Sequence, residues 1–458
     1  MSNRPAVDVK AWIDARAISP YQWLVLALCS LIILFDGYDA AVMGFIAPAL
    51  VQDWGLAPAQ MGLILGSAMF GVAIGALVAG PYSDRLGRKR VLLVSIASFG
   101  LFSLLCTLAR NPYEMALLRF LTGLGLGAVM PNCVTLVSEY MPERRRGLLI
   151  TLMYCGFNIG SGAGGFIAAG LLPVGGWKAV LLVGGVCPLL VLPLLVWLLP
   201  ESALYMVVRN HAQGSIAALL QRMGGVFAEG TLFTLKTPAL DKKAQVFKLF
   251  SKGYAQGTLM LWLTYFMGLF VIYLLNGWLP TIMRASGLSL EKAAITAGLF
   301  QLGGTLGGLL VGSMMDHFQA KKRVIGLAYL MGMCCLLAEG VFGFGPTVLA
   351  VLVFVSGMCV NGAQTGLQAF SPTFYPTEMR ATGVSWMHGI GRSGAIISSS
   401  MGGLLLGAFP GTTSIFIVLS IPALFAALAI VNHHNAFARP PLKRIDQAVP
   451  RPLEAPTL

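Results

Sequence analysis

The chain alternates between long apolar runs and short polar segments over all of its 458 residues. An apolar run of about 20 residues is long enough to cross a bilayer as a helix. We count twelve such runs, at 22–50, 59–81, 90–109, 113–138, 148–172, 178–199, 254–283, 292–315, 323–342, 346–370, 381–408 and 413–433. The pattern therefore predicts an all-α membrane protein with twelve transmembrane helices.

One long polar segment separates the first six runs from the last six. It is basic, and it is too short for a typical additional domain. We predict a tail at 1–21, a six-helix bundle at 22–199, a linker at 200–253, a second six-helix bundle at 254–433 and a tail at 434–458.

The two bundles have repeated sequence features. Phe120 and Gly123 recur 234 positions later as Phe354 and Gly357. With the same offset, Pro142 and Arg146 recur as Pro376 and Arg380. We therefore expect the two bundles to be related by pseudo-symmetry.

Composition and charge support a membrane location. The chain is 57% hydrophobic and 11% charged, whereas soluble domains carry about 25% charged residues. Its net charge of +13 would suggest a nucleic-acid partner in a soluble protein, but 25 of the 31 Lys and Arg lie in the tails and alternate loops on one side. By the positive-inside rule, both termini are predicted to be cytoplasmic, with the lipid bilayer of the inner membrane as the surroundings and no nucleic acid bound.

Motifs for catalysis or for ATP-driven transport are missing from the sequence. There is no GxxxxGK[ST] motif and no HExxH motif, and the glycine-rich stretch 160–165 lies inside an apolar run. The eight cysteines also lie in apolar runs and form no CxxC pair. We therefore predict no enzyme activity, no cofactor and no metal.

Two carboxylates inside the first span are the main candidates for function. Asp36 and Asp39 lie three positions apart, so they share a helix face and can point together into a polar cavity. A charge at mid-bilayer costs about 2.5–3.5 kcal/mol, and two adjacent carboxylates resist simultaneous ionisation. At least one is thus a candidate for reversible protonation and proton coupling, or for substrate binding. The alternative is a structural ion pair with an arginine inside the membrane.

Cationic side chains within the spans are candidates for the same site. Arg119, in the fourth span, can pair with the first span, either to tune aspartate protonation or as a structural partner. Arg392, in the eleventh span, can bind a substrate carboxylate bidentately, with an interhelical pair as the alternative. His388 shares a helix face with Arg392 and is either a proton relay or a satisfied histidine that faces water.

Neutral side chains in the second half could line a cavity. We expect few of them to touch a substrate, because most polar and aromatic residues in spans are packing or interface residues. The candidates are Asn276, Gln301, Asn361, Gln364 and Trp386. Glu339, near a helix end, is expected to extend towards the interface and has no predicted role.

Three motifs resemble those of the major facilitator superfamily. Residues 80–90 (GPYSDRLGRKR) resemble its signature loop, residues 119–127 (RxxxGxGxG) resemble its fourth-helix motif, and 200–202 (PES) resemble the end of its sixth helix. Together with the twelve spans in two repeats, the resemblance covers essentially the whole chain. It implies the major facilitator fold and transport by alternating access.

A narrower resemblance is carried by the first span. Residues 36–39 (DGYD) followed by 44–50 (GFIAPAL) resemble the first helix of the aromatic acid:proton symporter family, which imports benzoate, hydroxybenzoates and related acids. This implies uptake of a small aromatic carboxylate with a proton, by a protein that we expect to be a monomer. The alternatives are a proton symporter of another organic anion or a neutral solute, and a proton-antiport exporter.

The signature loop predicts a gate between the halves. We expect Asp84 to approach the helix that begins near Thr382 and to hold the halves in one conformation. Simple anchoring by positive charge is the alternative. The predicted gating residues are Asp84, Arg85, Arg88, Glu139, Asp316 and Arg380.

Overall fold

The computed structural model describes residues 6–228, 230–235, 249–251, 253–318, 320–342, 345–375, 377–409 and 412–433. The predicted tail at 434–458 and the middle of the predicted linker lie outside this range.

Long helices make up the first half of the chain. Several begin at side-chain caps: the Ser19 hydroxyl accepts from the amide of Gln22 at the start of α2, and Asn111 accepts from two amides at the start of α5. The helices are α1 (Val9–Asp14), α2 (Pro20–Trp54), α3 (Pro58–Leu86), α4 (Arg88–Leu105), α5 (Pro112–Tyr140) and α6 (Glu143–Leu198).

The second half repeats this arrangement after two short helices, α7 (Ala203–Val208) and α8 (Gln213–Arg222). Its helices are α9 (Ala255–Ala285), α10 (Leu290–Phe318), α11 (Lys321–Val341), α12 (Pro346–Phe374), α13 (Thr377–Ala408) and α14 (Thr412–Val431).

The helix lengths fit twelve spans. Ten of the described helices are long and apolar enough to cross a membrane. One of them, α6, has 56 residues and bends at Gly176, whose φ of 62° is non-helical, so it supplies two spans. With its 32 residues, α13 is also of spanning length. The predicted all-α membrane fold is confirmed.

The N-terminal segment and the linker form a small unit that the sequence pattern did not indicate. Strand β1 (Ala6–Asp8) pairs in parallel with β2 (Leu232–Thr234). The Trp12 ring lies 5.4 Å from that of Phe227, and the Asp14 carboxylate accepts from the amide of Glu143 at 2.8 Å. These contacts attach the unit to the first half at the start of α6.

Successive spans run in opposite directions, so the molecule has two ends. We call the end that carries α1, α7 and α8 the linker end, and the other the far end. Helices α3, α6 and α2 of the first half contact α13, α10 and α9 of the second half, respectively.

Among the residues that the structure describes, the close contacts between the halves lie towards the far end. Gly62 and Gly66 on α3 lie against Ser400 on α13, and Gly165 on α6 lies against Ala294 on α10. Towards the linker end of the same helices, a Cβ added to any of three glycines would meet no heavy atom within 4 Å: Gly80, Gly147 and Gly312. The protein is therefore closed at the far end and open at the linker end.

Candidate functional site

A buried ion pair joins α2 to α5. The Arg119 guanidinium donates to both carboxylate oxygens of Asp39, at 3.1 and 2.7 Å, and to the Asp39 backbone carbonyl at 3.2 Å. The Ser103 hydroxyl, on α4, donates to the same carboxylate at 2.8 Å. Asp39 is 0% exposed and Arg119 1% exposed, so these charges are matched with each other inside the first half.

Asp36 has a different environment from Asp39. It is 6% exposed and forms no hydrogen bond or ion pair with any residue that the structure describes. The sequence analysis placed both carboxylates together in one cavity. That expectation is wrong for Asp39, because Arg119 and Ser103 enclose it.

Arg392 brings a positive charge from the second half towards Asp36. The two side chains are close enough for their charges to interact, although no direct ion pair forms between them. The Arg392 guanidinium instead donates to the backbone carbonyl of Val72 on α3, at 3.4 Å. A carboxylate of the first half and a guanidinium of the second half thus lie near each other without forming an ion pair.

Tyrosine side chains surround this pair of charges. Tyr154 on α6 and Tyr273 on α9 both lie within electrostatic range of Asp36 and Arg392. Neither tyrosine is among the lining residues predicted from the sequence. Tyr154 could have been identified from the sequence because it is a tyrosine inside an apolar run of the first half.

His388 lies on the same face of α13 as Arg392 and belongs to a hydrogen-bonded chain. Its Nδ1 lies 2.8 Å from the hydroxyl of Tyr265 on α9. That hydroxyl also accepts from Nε2 of Gln368 on α12, at 3.2 Å. The imidazole is half-buried.

The predicted lining residues occupy different depths. Asn276 lines a small cavity between the halves together with Arg119 and Tyr273, and its side-chain oxygen accepts from Gln301 at 2.8 Å. Gln301 thus lies behind Asn276. Both are located on the far-end side of the second half.

The other three predicted lining residues are spread apart. Asn361 packs on Gly304 where α10 and α12 cross, and Gln364 accepts from the Tyr329 hydroxyl inside the second half. Trp386 lies nearer the linker end, is 46% exposed and stacks on Trp262.

The gate residues of the first half form a network within that half. Arg88 Nη2 lies 3.2 Å from both Asp84 Oδ1 and Glu139 Oε1. Glu201, which the sequence analysis did not include among the gating residues, accepts from the amides of Arg88 and Lys89 at 2.8 and 3.2 Å and so caps α4.

Asp84 forms no hydrogen bond or ion pair with any residue of the second half that the structure describes, so the predicted contact is not seen there. The Asp84 side chain is 73% exposed and its described ion pair is with Arg88, because the halves are apart at the linker end. Three other predicted gating residues are also exposed, with no ion pair to any described residue: Arg85, Asp316 and Arg380.

Glu339 differs from its predicted position. It is 7% exposed near the end of α11, so it does not extend towards the interface. Its carboxyl group faces Ser356 on α12, which covers it.

Comparison with known proteins identifies the family. The model of the Major Facilitator Superfamily matches residues 29–338 and 261–454. The chain belongs to the major facilitator superfamily. It is 56% identical to a gallate transporter of Pseudomonas putida, over 94% of this chain and 96% of that protein. It is 48% identical to the 4-hydroxybenzoate transporter PcaK of Pseudomonas aeruginosa, over 94% and 98%.

The major facilitator fold is also found by structural comparison. The xylose transporter XylE from E. coli, in a partially occluded inward-open conformation, superimposes with a TM-score of 0.69 at 17% identity, over 90% of this chain and 97% of that one. Because the chain belongs to this superfamily and its relatives are transporters, the protein is a multi-pass membrane transporter and not an enzyme.

Proposed function

We propose that the protein imports a small aromatic carboxylate together with a proton, by alternating access across the bacterial inner membrane. The observation that carries the proposal is the unmatched pair of charges at the centre, Asp36 and Arg392.

When Asp36 is protonated, the count of charges leaves one anion position vacant. Asp39 and Arg119 neutralise each other, whereas among the described residues the Arg392 guanidinium donates only to a backbone carbonyl. A guanidinium in a site of low polarity binds a carboxylate strongly, often through two parallel hydrogen bonds. A carboxylate substrate held by Arg392 would therefore complete the site.

Asp36 is the better candidate for the coupling proton. Because no described residue donates a hydrogen bond to it, little stabilises its charged form, and a bound substrate anion nearby would favour the neutral acid. Protonation of Asp36 and binding of an anion would then depend on each other, which is the requirement for symport.

The identity of the relatives supports an aromatic substrate. Two relatives that align with almost the whole chain are named for gallate and for 4-hydroxybenzoate, both ring acids. Tyr154, Tyr273 and Tyr265 supply aromatic surface and hydroxyl groups around the two charges, as a ring acid requires.

The charge distribution supports the orientation. The linker end carries most of the Lys and Arg, so it is proposed to face the cytoplasm, with both termini on that side. The conformation described above would then be open to the cytoplasm. To begin a new cycle, the empty carrier must close at the linker end and open at the far end.

The test is uptake of labelled gallate and 4-hydroxybenzoate into proteoliposomes, with and without an inward proton gradient. The wild type should accumulate at least one acid only when the gradient is present. Asp36→Asn should lose accumulation but retain exchange of internal for external substrate. Asparagine resembles the protonated acid, and neither substrate binding nor the conformational change of the loaded carrier requires the proton to leave. Arg392→Gln should lose affinity by about 10-fold to 100-fold.

Three results would contradict the proposal. Uptake of neither acid by folded wild type would reject the substrate class. Efflux driven by the same gradient would indicate an exporter. Normal accumulation by Asp36→Asn would show that this carboxylate does not couple to the proton.

A further inference from the structure

We propose that His388 recognises a hydroxyl group on the ring of the substrate, so that the transporter selects hydroxylated aromatic acids over the unsubstituted acid. This inference rests on the proposed function, since it assumes an aromatic carboxylate at Arg392. It assigns His388 a role in specificity.

The hydrogen-bonded chain favours one tautomer of His388, with the proton on Nε2. The Tyr265 hydroxyl accepts from Gln368, so its own single proton is free to be donated to Nδ1 of His388. Nδ1 is then an acceptor, and the proton of the neutral imidazole is on Nε2. The chain thus positions the imidazole as a donor through Nε2.

The other ring nitrogen of His388 is free to bind a ligand. Nε2 of His388 has no hydrogen-bond partner among the residues that the structure describes, and it is not sealed from solvent. His388 lies four positions before Arg392 on α13, hence on the same face, and the Arg392 guanidinium reaches α3 of the opposite half. The N–H of His388 is therefore available to a ligand between the halves.

His388 and Arg392 are about one turn apart on α13, so their Cα atoms are separated by a rise of about 6 Å. This rise is similar to the length of a benzene ring with two para substituents, so a ring that lies along the helix extends from one residue to the other. A ring whose carboxylate is held by Arg392 would bring a meta or para hydroxyl oxygen towards Nε2. An unsubstituted ring would cover this donor without giving it a partner, which is the situation in which a site rejects a ligand.

The backing residues keep this donor in place. The Tyr265 ring meets the His388 ring edge-on, with centroids 4.8 Å apart, and Tyr265 itself is 3% exposed. Tyr265 is therefore a positioning residue: it holds the orientation and favours one tautomer of His388. Loss of its hydroxyl should weaken discrimination without affecting the carboxylate site.

The test is equilibrium binding of benzoate and 4-hydroxybenzoate to the purified full-length protein. We expect the wild type to prefer 4-hydroxybenzoate by about tenfold or more. His388→Leu should bring the ratio close to one, because it weakens the binding of 4-hydroxybenzoate and removes the unpartnered donor that disfavours benzoate. His388→Gln, which keeps a donor near the position of Nε2, should restore part of the preference, and Tyr265→Phe should reduce it.

Ser393→Ala is the matched control, because this neighbouring residue on α13 is exposed and its hydroxyl bonds only within its own helix. It should keep the wild-type ratio. Equal affinities for the two acids in the wild type, or an unchanged ratio in His388→Leu, would overturn the inference while the proposed function stands. Binding of neither acid to the wild type would reject both.

Discussion

At the scale of single residues, the four positions of the segment 36–39 have four separate tasks. Asp36 faces the charge of the second half, and Gly37 allows the backbone of α6 to approach at Phe157. The Tyr38 hydroxyl donates to the carbonyl of Val180 at 2.8 Å, and Asp39 pairs with Arg119. One turn of helix therefore combines the proposed coupling site with the structural contacts that hold it.

The two aspartates should respond differently to neutralisation. Asp39→Asn leaves Arg119 buried without a counter-charge, and loss of one partner of a buried pair costs about 3–5 kcal/mol. Asp36→Asn removes no described contact, so the free energy of unfolding should change by less than about 1 kcal/mol. Thermal unfolding of the purified variants measures both effects.

A double variant provides the control for this prediction. Asp39→Asn combined with Arg119→Gln removes both charges and should recover much of the lost stability. Equal melting temperatures for Asp39→Asn and the wild type would contradict the structural assignment. Because Asp39→Asn is expected to destabilise the fold, loss of transport in this variant does not show that Asp39 carries the coupling proton.

At the scale of helices, both halves contain a crossing in which a glycine of one helix packs against a backbone carbonyl of its neighbour. Gly123 on α5 lies against the carbonyl of Ala68 on α3, and Gly357 on α12 lies against the carbonyl of Phe300 on α10. Glycine permits this approach because any Cβ would collide with the facing backbone. The repeat that is visible in the sequence thus corresponds to a repeated helix crossing.

A pair of glycine substitutions tests this packing. Gly123→Ala places a methyl group against the Ala68 carbonyl and must push α3 and α5 apart, which should cost about 1–3 kcal/mol. Gly80→Ala, on the open part of α3, meets no atom and should be neutral or slightly stabilising. Thermal unfolding should separate the two variants. Equal stability of the two variants would contradict the assignment of Gly123 to a close helix crossing.

At the scale of the whole molecule, transport requires the far end to open. The closed far end depends on contacts such as that of Gly66 with Ser400, and a Cβ added at Gly66 would lie 3.1 Å from the Ser400 Cβ. Disulfides form at Cβ separations of about 3.5–4.5 Å, so a small shift is sufficient to join these positions. The two helices can thus be locked together in the conformation described here.

On a background without the eight native cysteines, Gly66→Cys with Ser400→Cys should cross-link on oxidation and stop substrate uptake. Reduction should restore uptake, because the bond blocks only the opening of the far end. Each single variant is the control and should be insensitive to oxidation. Continued uptake by fully cross-linked protein would show that α3 and α13 do not separate during the cycle.

The sequence by itself determined the class of fold, since apolar runs of spanning length leave the helix as the way to satisfy the backbone in a bilayer. It also singled out Asp36, Asp39, Arg119 and Arg392, because charges inside spans are costly enough to need a reason. Such signals are local, and a single sequence displays them directly.

Only the tertiary structure decided which of these charges are matched. The sequence left Arg119 with two possible partners on α2, and packing of α2 against α5 gave it Asp39, which left Asp36 to face Arg392. It also connected His388 to Tyr265, which lies 123 positions away, and placed Glu201 at the start of α4. These pairings depend on how helices cross, and helix crossings are set by contacts between residues that are distant in the chain.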